Sequence, residues 1–378
     1  MTFSLNVNSS PFRAHLASVR DHIHGVGAQL TPVIKGNGYG FGRQNLAQES
    51  ILLGLPRIAV GTVWELEQAL GQFNGQVHVL EPFAPTDHLA IAQWQKSTAD
   101  NAHRIIATIT TPELIAAHNV GIRHVMLDGK TSLSRFGLET HQLIHAMQSV
   151  PSDITVEGLT LHLPITDSVP TTIAALERPE GSSKQVFSGR QHEVHAWLMT
   201  YRELAQAHDL PLHVSVSHLD SDELTDLTKQ HPDFTFDVRL GTALWLGAPD
   251  ALTVSGEVLA IHQVAKGQRV GYRQVQSKAN QFLIVVSGGT AHGVALAAPS
   301  TRPSLRSKGI ALVEGLSEMR SKVRSPFSIA GQNLFFAEPP HMQVSLLWSD
   351  DATLSVGDQL TCNVRNTTAQ FDVVTGLN

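Results

Sequence analysis

An apolar run ends in a lysine and a glycine-rich turn within residues 30–40, which read LTPVIKGNGYG. The β-branched residues before Lys35 favour a strand, and the glycines after it favour a turn. The segment therefore predicts a strand whose carboxyl end presents Lys35, with Tyr39 close behind.

Seven further strand-like runs follow, with segments of helical periodicity between them. Strands that alternate with helices favour a closed (β/α)8 barrel of the TIM type, which we predict over residues 11–245. An open doubly wound sheet is the alternative, although no GxGxxG motif follows the first strand. The predicted strands cover residues 30–35, 57–62, 76–80, 104–108, 124–127, 154–162, 213–217 and 235–239.

Beyond residue 250 the pattern changes to strand-like runs separated by turns. We predict a mostly β domain over residues 250–378, with residues 1–10 added because Phe3–Val7 could supply a strand. A long irregular segment, residues 164–190, follows the sixth predicted strand of the barrel. Such a segment is typical of either a functional lid or a surface excursion.

Composition excludes several classes of protein. The net charge is -6 and the basic residues are dispersed, which disfavours a nucleic-acid partner. No apolar run reaches the length of a membrane helix, and the N-terminus lacks a signal-peptide pattern, so we expect a cytoplasmic protein and no membrane partner. The single cysteine cannot form an internal disulfide, and the 20 histidines show no metal-ligand spacing, so no metal is expected.

Polar residues follow the predicted barrel strands at the carboxyl ends, where barrels carry their reactive groups. Each has an ordinary explanation on its own, such as a surface lysine or an ion pair between Arg239 and Asp237. Together they favour a phosphorylated aldehyde cofactor, because lysine forms imines with aldehydes and the loops after strands seven and eight commonly hold phosphate. The candidate residues are Lys35, Tyr39, Asp128, Arg135, His162, Ser217, Arg239, Gly241 and Thr242.

Residues 33–42, which read VIKGNGYGFG, resemble the pyridoxal phosphate attachment motif of alanine racemases, VxKANAYGHG. Four later segments resemble motifs of the same family in the same order, and the match thins after residue 272. The chain is therefore similar to the alanine racemase family. The four segments are SRFG at 134–137, LHL at 161–163, VRLGTAL at 238–244 and GQRVGY at 267–272.

The resemblance implies an enzyme that interconverts L- and D-alanine and supplies D-alanine for peptidoglycan. Lys35 would carry pyridoxal 5'-phosphate and act as the base on one face of the substrate. Tyr272 of the partner subunit would act on the opposite face, so the resemblance implies a homodimer with shared active sites. Two opposed bases suit racemisation because neither has to move between faces.

The resemblance also assigns the remaining site residues. Arg239 would donate to the pyridine nitrogen with His162 beside it, and Arg135 and Met342 would bind the substrate. Arginine cannot accept the ring proton, so the ring would stay neutral and transamination would be suppressed. The phosphate would be bound by Tyr39, Ser217, Gly241 and Thr242.

Some positions depart from the family pattern. Asp128 stands where the family usually has a lysine, which is often carbamylated, and we expect Asp128 to support Arg135 directly. Thr290 replaces a tyrosine that narrows access to the substrate, and His341 replaces a cysteine. These changes leave open an enzyme of the same fold that acts on a larger amino acid, or a cofactor-binding regulator or scaffold without turnover.

Overall fold

The computed structural model describes residues 2–148, 150–166, 189–296, 323–350 and 353–377. The chain divides into two compact units. We call Ala14–Gly36 with Arg43–Gly247 the barrel unit, and Met1–Arg13 with Asn37–Gly42 and Ala248–Asn378 the β unit. Most of the predicted long segment 164–190 lies outside the described residues, so the lid interpretation stays a prediction, as do the predicted domain limits.

Strands occur in both units, and helices connect most strands of the barrel unit. In the described residues the strands are β1 (Phe3–Val7), β2 (Ala28–Pro32), β3 (Arg57–Val60), β4 (Gln76–Val79), β5 (Ile105–Ile109), β6 (His124–Gly129), β7 (Thr155–Leu161), β8 (His213–Val216), β9 (Thr235–Leu240), β10 (Leu252–Val264), β11 (Arg269–Val270), β12 (Val275–Gln276), β13 (Gln281–Ser287), β14 (Arg324–Ile329), β15 (Gln332–Phe336), β16 (Val344–Ser349), β17 (Gln359–Cys362) and β18 (Val373–Thr375). The α-helices of the same residues are α1 (Ser9–Gly25), α2 (Arg43–Leu52), α3 (Leu66–Gln72), α4 (His88–Asn101), α5 (Leu114–Asn119), α6 (Thr140–Met147), α7 (Gly189–His208), α8 (Ser221–Gln230) and α9 (Thr242–Trp245). No helix in these ranges is both long and apolar enough to span a membrane.

The barrel unit is built on eight parallel strands in the order β2-β9-β8-β7-β6-β5-β4-β3. Val33, directly after β2, forms a parallel bridge with Ala59 of β3, and the Ile34 amide donates to the Ala59 carbonyl at 2.8 Å. The two ends of the sheet therefore meet. This confirms the predicted barrel, and the alternative of an open doubly wound sheet is wrong.

The first barrel strand ends earlier than the sequence predicted. The sequence predicts this strand over residues 30–35, whereas β2 ends at Pro32 and Lys35 lies three residues beyond it. Proline has no amide hydrogen to donate to a ladder, which favours the end of a strand. Lys35 therefore belongs to the loop above the barrel.

Local sequence signals place the helix after β8. Asp220 caps the first turn of α8, since its side chain accepts from the Glu223 amide while the Glu223 side chain accepts from the Asp220 amide. This reciprocal capping satisfies two amides that have no partner within the helix. Leu224 and Leu227 are buried, so the α8 end of the loop that joins β8 to α8 is held in place.

Polar side chains occupy part of the barrel interior. His78 Nε2 lies 2.9 Å from the Thr108 hydroxyl. The Asp237 carboxylate accepts from Thr31 at 2.7 Å and from Ser215 at 3.0 Å. Buried polar groups cost free energy unless they are hydrogen-bonded, so these hydrogen bonds hold the buried polar side chains in place.

The β unit contains an eight-stranded sheet in the order β13-β16-β15-β14-β17-β10-β1-β18. Because β13 pairs with β10 as well as with β16, six of these strands close on themselves. β1 pairs antiparallel with β10, from Phe3 opposite Gly256 to Val7 opposite Leu252. This confirms the expectation that the N-terminal residues add a strand to the β-rich part of the chain.

We predict that Gly158→Ala destabilises the protein. Gly158 lies in β7 with a φ of +150°, and a Cβ atom there would meet the His213 carbonyl oxygen at 2.4 Å. A left-handed φ and a clash with backbone should together lower the free energy of unfolding by more than about 1 kcal/mol, measured by urea unfolding.

Gly71→Ala in α3 is the matched control. A Cβ atom at Gly71 meets nothing within 4 Å, and alanine is favoured over glycine in helices by about 1 kcal/mol. The control should be neutral or stabilising. A Gly158→Ala protein as stable as the wild type would contradict the assigned strand geometry.

Candidate active site

Lys35 lies in the loop that follows β2, and the carboxylate of Glu65 holds the backbone around it by hydrogen bonds. Glu65 accepts the Gly36 amide at 2.9 Å through Oε1 and the Gly61 amide at 2.7 Å through Oε2. Loss of hydration and the positive charge of Arg135 lower the pKa of Lys35, although the negative charge of Glu65 opposes them. A lowered pKa increases the fraction of neutral amine near neutral pH, which is the form that accepts protons and attacks carbonyl groups.

Arg239 is buried at the carboxyl end of β9 and is hydrogen-bonded to the adjacent strand β8 and to β7, the next strand beyond it. Its guanidinium donates to the Ser215 carbonyl at 3.0 Å, the Ser215 hydroxyl at 2.9 Å and the Leu161 carbonyl at 2.8 Å, and also to the Thr160 hydroxyl. The Ser215 hydroxyl in turn donates to Asp237 at 3.0 Å. Ser215 therefore links the Arg239 cation to the Asp237 carboxylate.

Two histidines lie beside this arginine. His162 Nδ1 is 2.7 Å from the Ser217 hydroxyl, and the ring of His218 lies 5.2 Å from the ring of His162. Burial, reinforced by the charges of Arg239 and Arg135, lowers the pKa of His162 to about 3. His162 is therefore neutral at neutral pH.

Asp128 is buried in β6, and Arg135 is exposed in the turn that follows. Burial raises the pKa of Asp128 to about 7, although the positive charges of Arg239 and Arg135 pull it down. The Leu138 amide donates to the Asp128 carbonyl at 2.6 Å, which closes the turn that carries Arg135. The expected interaction between Asp128 and Arg135 is electrostatic in this structure, because the charge of Arg135 lowers the pKa of Asp128.

The expected phosphate ligands divide between the two units. Ser217 directly follows β8, Gly241 is the N-cap of α9, and Thr242 is the first residue of that helix. These three follow adjacent strands, since β8 pairs with β9. Tyr39 belongs to the β unit and is buried in a single helical turn, where it adopts a φ of +54°.

The remaining expected residues lie together in the β unit. Tyr272 is 85% exposed and Met342 is 70% exposed. The ring of Tyr272 lies 4.4 Å from the ring of His341, which directly precedes Met342. The Thr290 amide donates to the His341 carbonyl at 2.8 Å and the Ala291 amide to the Met342 carbonyl at 3.0 Å. Four of these five positions were singled out from the sequence, and Ala291 was not.

Sequence reasoning missed two residues of the barrel rim. Glu65 lies five residues beyond β3, and His218 directly follows Ser217 with a φ of +61°. His218 could have been found as the next polar residue at a strand end. Glu65 gave no such signal, because its contacts depend on two loops that are separated along the chain.

The charges around the barrel rim define what the site can bind. Three cationic side chains, Lys35, Arg135 and Arg239, interact electrostatically with one another. Burial raises the pKa of the Asp128 carboxyl to about 7, so this group carries only part of a negative charge at neutral pH. Such a rim suits a ligand with a phosphate or a carboxylate, and a lysine of lowered pKa suits an aldehyde. The donor set therefore fits pyridoxal 5'-phosphate.

Comparison with known proteins gives the family. The family model described as the alanine racemase N-terminal domain matches residues 7–249. The chain belongs to this family. The resemblance to the alanine racemase family is thus confirmed, and the family match covers the whole barrel unit. No curated protein matches the chain.

Several solved structures share the fold of this alanine racemase family member. An alanine racemase from Clostridium difficile 630 is 16% identical, with a TM-score of 0.65, and 96% of this chain covers 87% of that one. The Bacillus anthracis enzyme with bound L-Ala-P is 16% identical (TM-score 0.63; coverage 95% and 85%). The Bartonella henselae enzyme with covalently bound pyridoxal phosphate is 17% identical (TM-score 0.60; coverage 96% and 90%). These likenesses show the fold.

We predict that Asp128→Asn alters how stability depends on pH. An aspartate ionises near pH 4 in an unfolded chain, but Asp128 ionises at about 7 in the folded protein. Between these values the folded state binds more protons, so ionisation of this group makes the wild type less stable as pH rises. The asparagine cannot ionise. The stability of the variant relative to the wild type should therefore rise from about pH 4 to about pH 7 and then level off.

Urea unfolding at several pH values measures this difference, and Asp233→Asn provides a control of opposite sign. A hydrogen bond from Arg202 lowers the pKa of the exposed Asp233. Its carboxylate stabilises the fold, and this contribution is lost only as pH falls below about 4. Relative to the wild type, the control should therefore lose stability as pH rises towards about 4 and stay level between about pH 4 and pH 7. A flat or falling difference for Asp128→Asn would show that burial does not raise this pKa.

Proposed function

We propose that this protein is a pyridoxal-phosphate-dependent alanine racemase that uses two bases. Lys35 acts on one face of the substrate and Tyr272 of the partner subunit acts on the other, in a homodimer with shared active sites. The observation that carries the proposal is a lysine of lowered pKa at the same rim as the buried, hydrogen-bonded Arg239. The D-alanine product would serve peptidoglycan synthesis.

The barrel residues would hold the cofactor as follows. Lys35 would attach it covalently, Arg239 would donate to its ring nitrogen, and His162 would stay neutral beside that arginine. When bound, pyridoxal phosphate supplies an electron sink that acidifies the Cα–H bond of an attached amino acid. Arginine cannot take the ring proton, which favours return of a proton to Cα. The phosphate would be bound by Tyr39, Ser217, Gly241 and Thr242.

Proton transfer requires one base to be neutral while the opposite one is protonated. The lowered pKa of Lys35 supplies the amine that accepts the Cα proton at Nζ. Glu65 fixes the loop of Lys35 through the Gly36 amide and keeps its pKa from falling further. The phenol of Tyr272 would deliver a proton on the opposite face, and its phenolate would remove one in the reverse direction. The exposure of this side chain leaves it accessible to a second subunit.

Substrate recognition would use Arg135 and the backbone of Met342, both of which would contact the carboxylate. Arg135 is exposed in its turn, so its guanidinium is accessible to a small anion. Thr290 occupies a position where the family has a larger tyrosine, and a smaller side chain leaves more room beside Met342. This observation favours, as a second candidate, an amino-acid racemase that accepts a substrate larger than alanine.

A substrate panel tests the proposal. Purified protein with pyridoxal 5'-phosphate is incubated with individual L-amino acids, small and large, and the D-enantiomers are quantified. We expect a visible absorbance that borohydride removes, together with inversion of alanine at the highest kcat/KM. Lys35→Ala should lose the absorbance and at least about 100-fold in rate, because a positioned base contributes 10²- to 10⁴-fold.

Lys96→Ala is the matched control, since Lys96 is exposed on α4 and pairs with Glu67 away from the barrel rim. It should retain both absorbance and activity. No visible absorbance in the wild type would overturn the cofactor assignment. Absorbance without inversion of any amino acid would favour a scaffold, and inversion of larger amino acids alone would replace alanine as the substrate.

We also predict that Asp128→Ala weakens substrate binding. In the wild type Asp128 loses its proton as pH rises through about 7, and the resulting charge would hold the Arg135 guanidinium more firmly. The KM of the wild type should therefore fall across this range, and the KM of Asp128→Ala should be higher and independent of this ionisation. Steady-state kinetics between pH 6 and pH 8, on the order of one pH unit either side of this ionisation, measure both. Unchanged kinetics would refute the supporting role of Asp128.

A further inference from the structure

We propose that Glu338 and His341 are positioning residues that hold the phenol of Tyr272 ready for proton transfer. We call Glu338, His341 and Tyr272 the tyrosine clasp. This inference deepens the proposed function and rests on it, because Tyr272 is the proposed second base. All three residues belong to the β unit.

Glu338 fixes the backbone of the tyrosine. Its side chain is buried, with 5% of the residue exposed, and its two oxygens accept the amides of Tyr272 and Arg273 at 2.9 Å each. Burial alone would raise the pKa of Glu338, but these amides and the His341 side chain lower it overall. The carboxylate is therefore ionised at neutral pH and binds the turn that carries the tyrosine.

Glycine makes this close approach possible. Gly271 has a φ of +71°, and a Cβ atom there would lie 2.2 Å from a Glu338 oxygen. Any other residue would both strain the backbone and displace the carboxylate. The absence of a side chain at Gly271 therefore leaves the space that the Glu338 carboxylate occupies, although Glu338 lies far along the chain.

His341 joins the same carboxylate to the ring of the tyrosine. Its Nε2 lies 2.6 Å from Glu338 Oε1, and its ring lies 4.4 Å from the Tyr272 ring at an angle of 38°. Its backbone is fixed on both sides, because its amide donates to the Val344 carbonyl and its carbonyl accepts the Thr290 amide. A rigid imidazole therefore rests against a phenol that is otherwise 85% exposed.

The clasp has a functional consequence. An exposed tyrosine can occupy several χ1 rotamers, and all but one of them would misplace the phenol oxygen. Catalysis gains when that ordering is completed before the reaction, and a misplacement of about 1 Å can cost about 100-fold. The family motif carries a cysteine at the position of His341, so the aromatic support is a feature of this chain.

Fluorine NMR tests the clasp without any need for activity. The chain contains three tyrosines, so uniform labelling with 3-fluorotyrosine gives a simple spectrum in which Tyr272→Phe identifies one signal. We expect the Tyr272 signal of the wild type to be displaced from that of free fluorotyrosine by the His341 ring. In His341→Ala the signal should move towards the free position, because the contribution of the His341 ring is lost, and it should become narrower.

Kinetics test whether the clasp serves proton transfer. His341→Ala should lower kcat about 10- to 100-fold with little change in KM, since misplacement of a base affects the chemical step. His341→Phe keeps an aromatic ring and should recover part of both kcat and the shifted NMR signal. His262→Ala, at an exposed histidine on β10, is the control and should change neither quantity.

An unchanged Tyr272 signal in His341→Ala would overturn the clasp, and a changed signal with unchanged kcat would overturn its role in positioning. Thermal unfolding of each variant separates these effects from a loss of folding, and His341→Phe keeps the comparison available if the alanine variant is unstable. Failure of the proposed function would be seen in the wild type itself, as no inversion of any amino acid. Failure of the present inference would be seen only in the variants.

Discussion

The guanidinium of Arg239 is buried, and its hydrogen bonds determine the geometry of the barrel rim. It reaches from β9 to the hydroxyls and carbonyls of β7 and β8, including Ser215 and Leu161. A buried cation without partners would cost several kcal/mol, so the three strands are constrained to keep these acceptors in place. The residues that directly follow those strands are therefore held in place as well. His162 after β7 and Ser217 after β8 are consequently close enough to share a contact of 2.7 Å.

The same cation determines the electrostatics of the rim. Arg239 contributes, after burial, to the lowered pKa of His162, and it is one of the charges that lower the pKa of Lys35. The negative charge of Glu65 opposes this effect by raising the pKa of Lys35. Asp128 is buried, and burial raises its own pKa to about 7. The rim is therefore positively charged while its histidine is neutral. A site of this kind lowers the cost of binding an anion and leaves the imidazole free to exchange hydrogen bonds without a change of charge.

The sequence predicted those features that depend on order along the chain. Eight strands alternating with helices predict a barrel, and a barrel brings the carboxyl ends of its strands together, so Lys35, His162 and Arg239 could be grouped by their positions after successive strands. Features that depend on long-range contacts were not predictable. Glu65 bridges the backbones of two loops, and residues 37–42 associate with the β unit although the barrel unit precedes and follows them. Glu338 meets Tyr272 from 66 positions away. No periodicity or motif encodes such contacts, because they arise only when two distant segments fold together.

The distribution of the departures from the family pattern has a physical meaning. Most of the expected cofactor residues belong to the barrel unit, where the packing of one buried cation couples them, and a change in one would disturb the others. Thr290 and His341 belong to the β unit, where their mutual contact runs through the backbone and depends on neither side chain. Substrate preference can therefore diverge in the β unit at little cost to the barrel. The tyrosine clasp is consistent with this separation, because the imidazole that supports the proposed second base is anchored by Glu338, a carboxylate of its own unit.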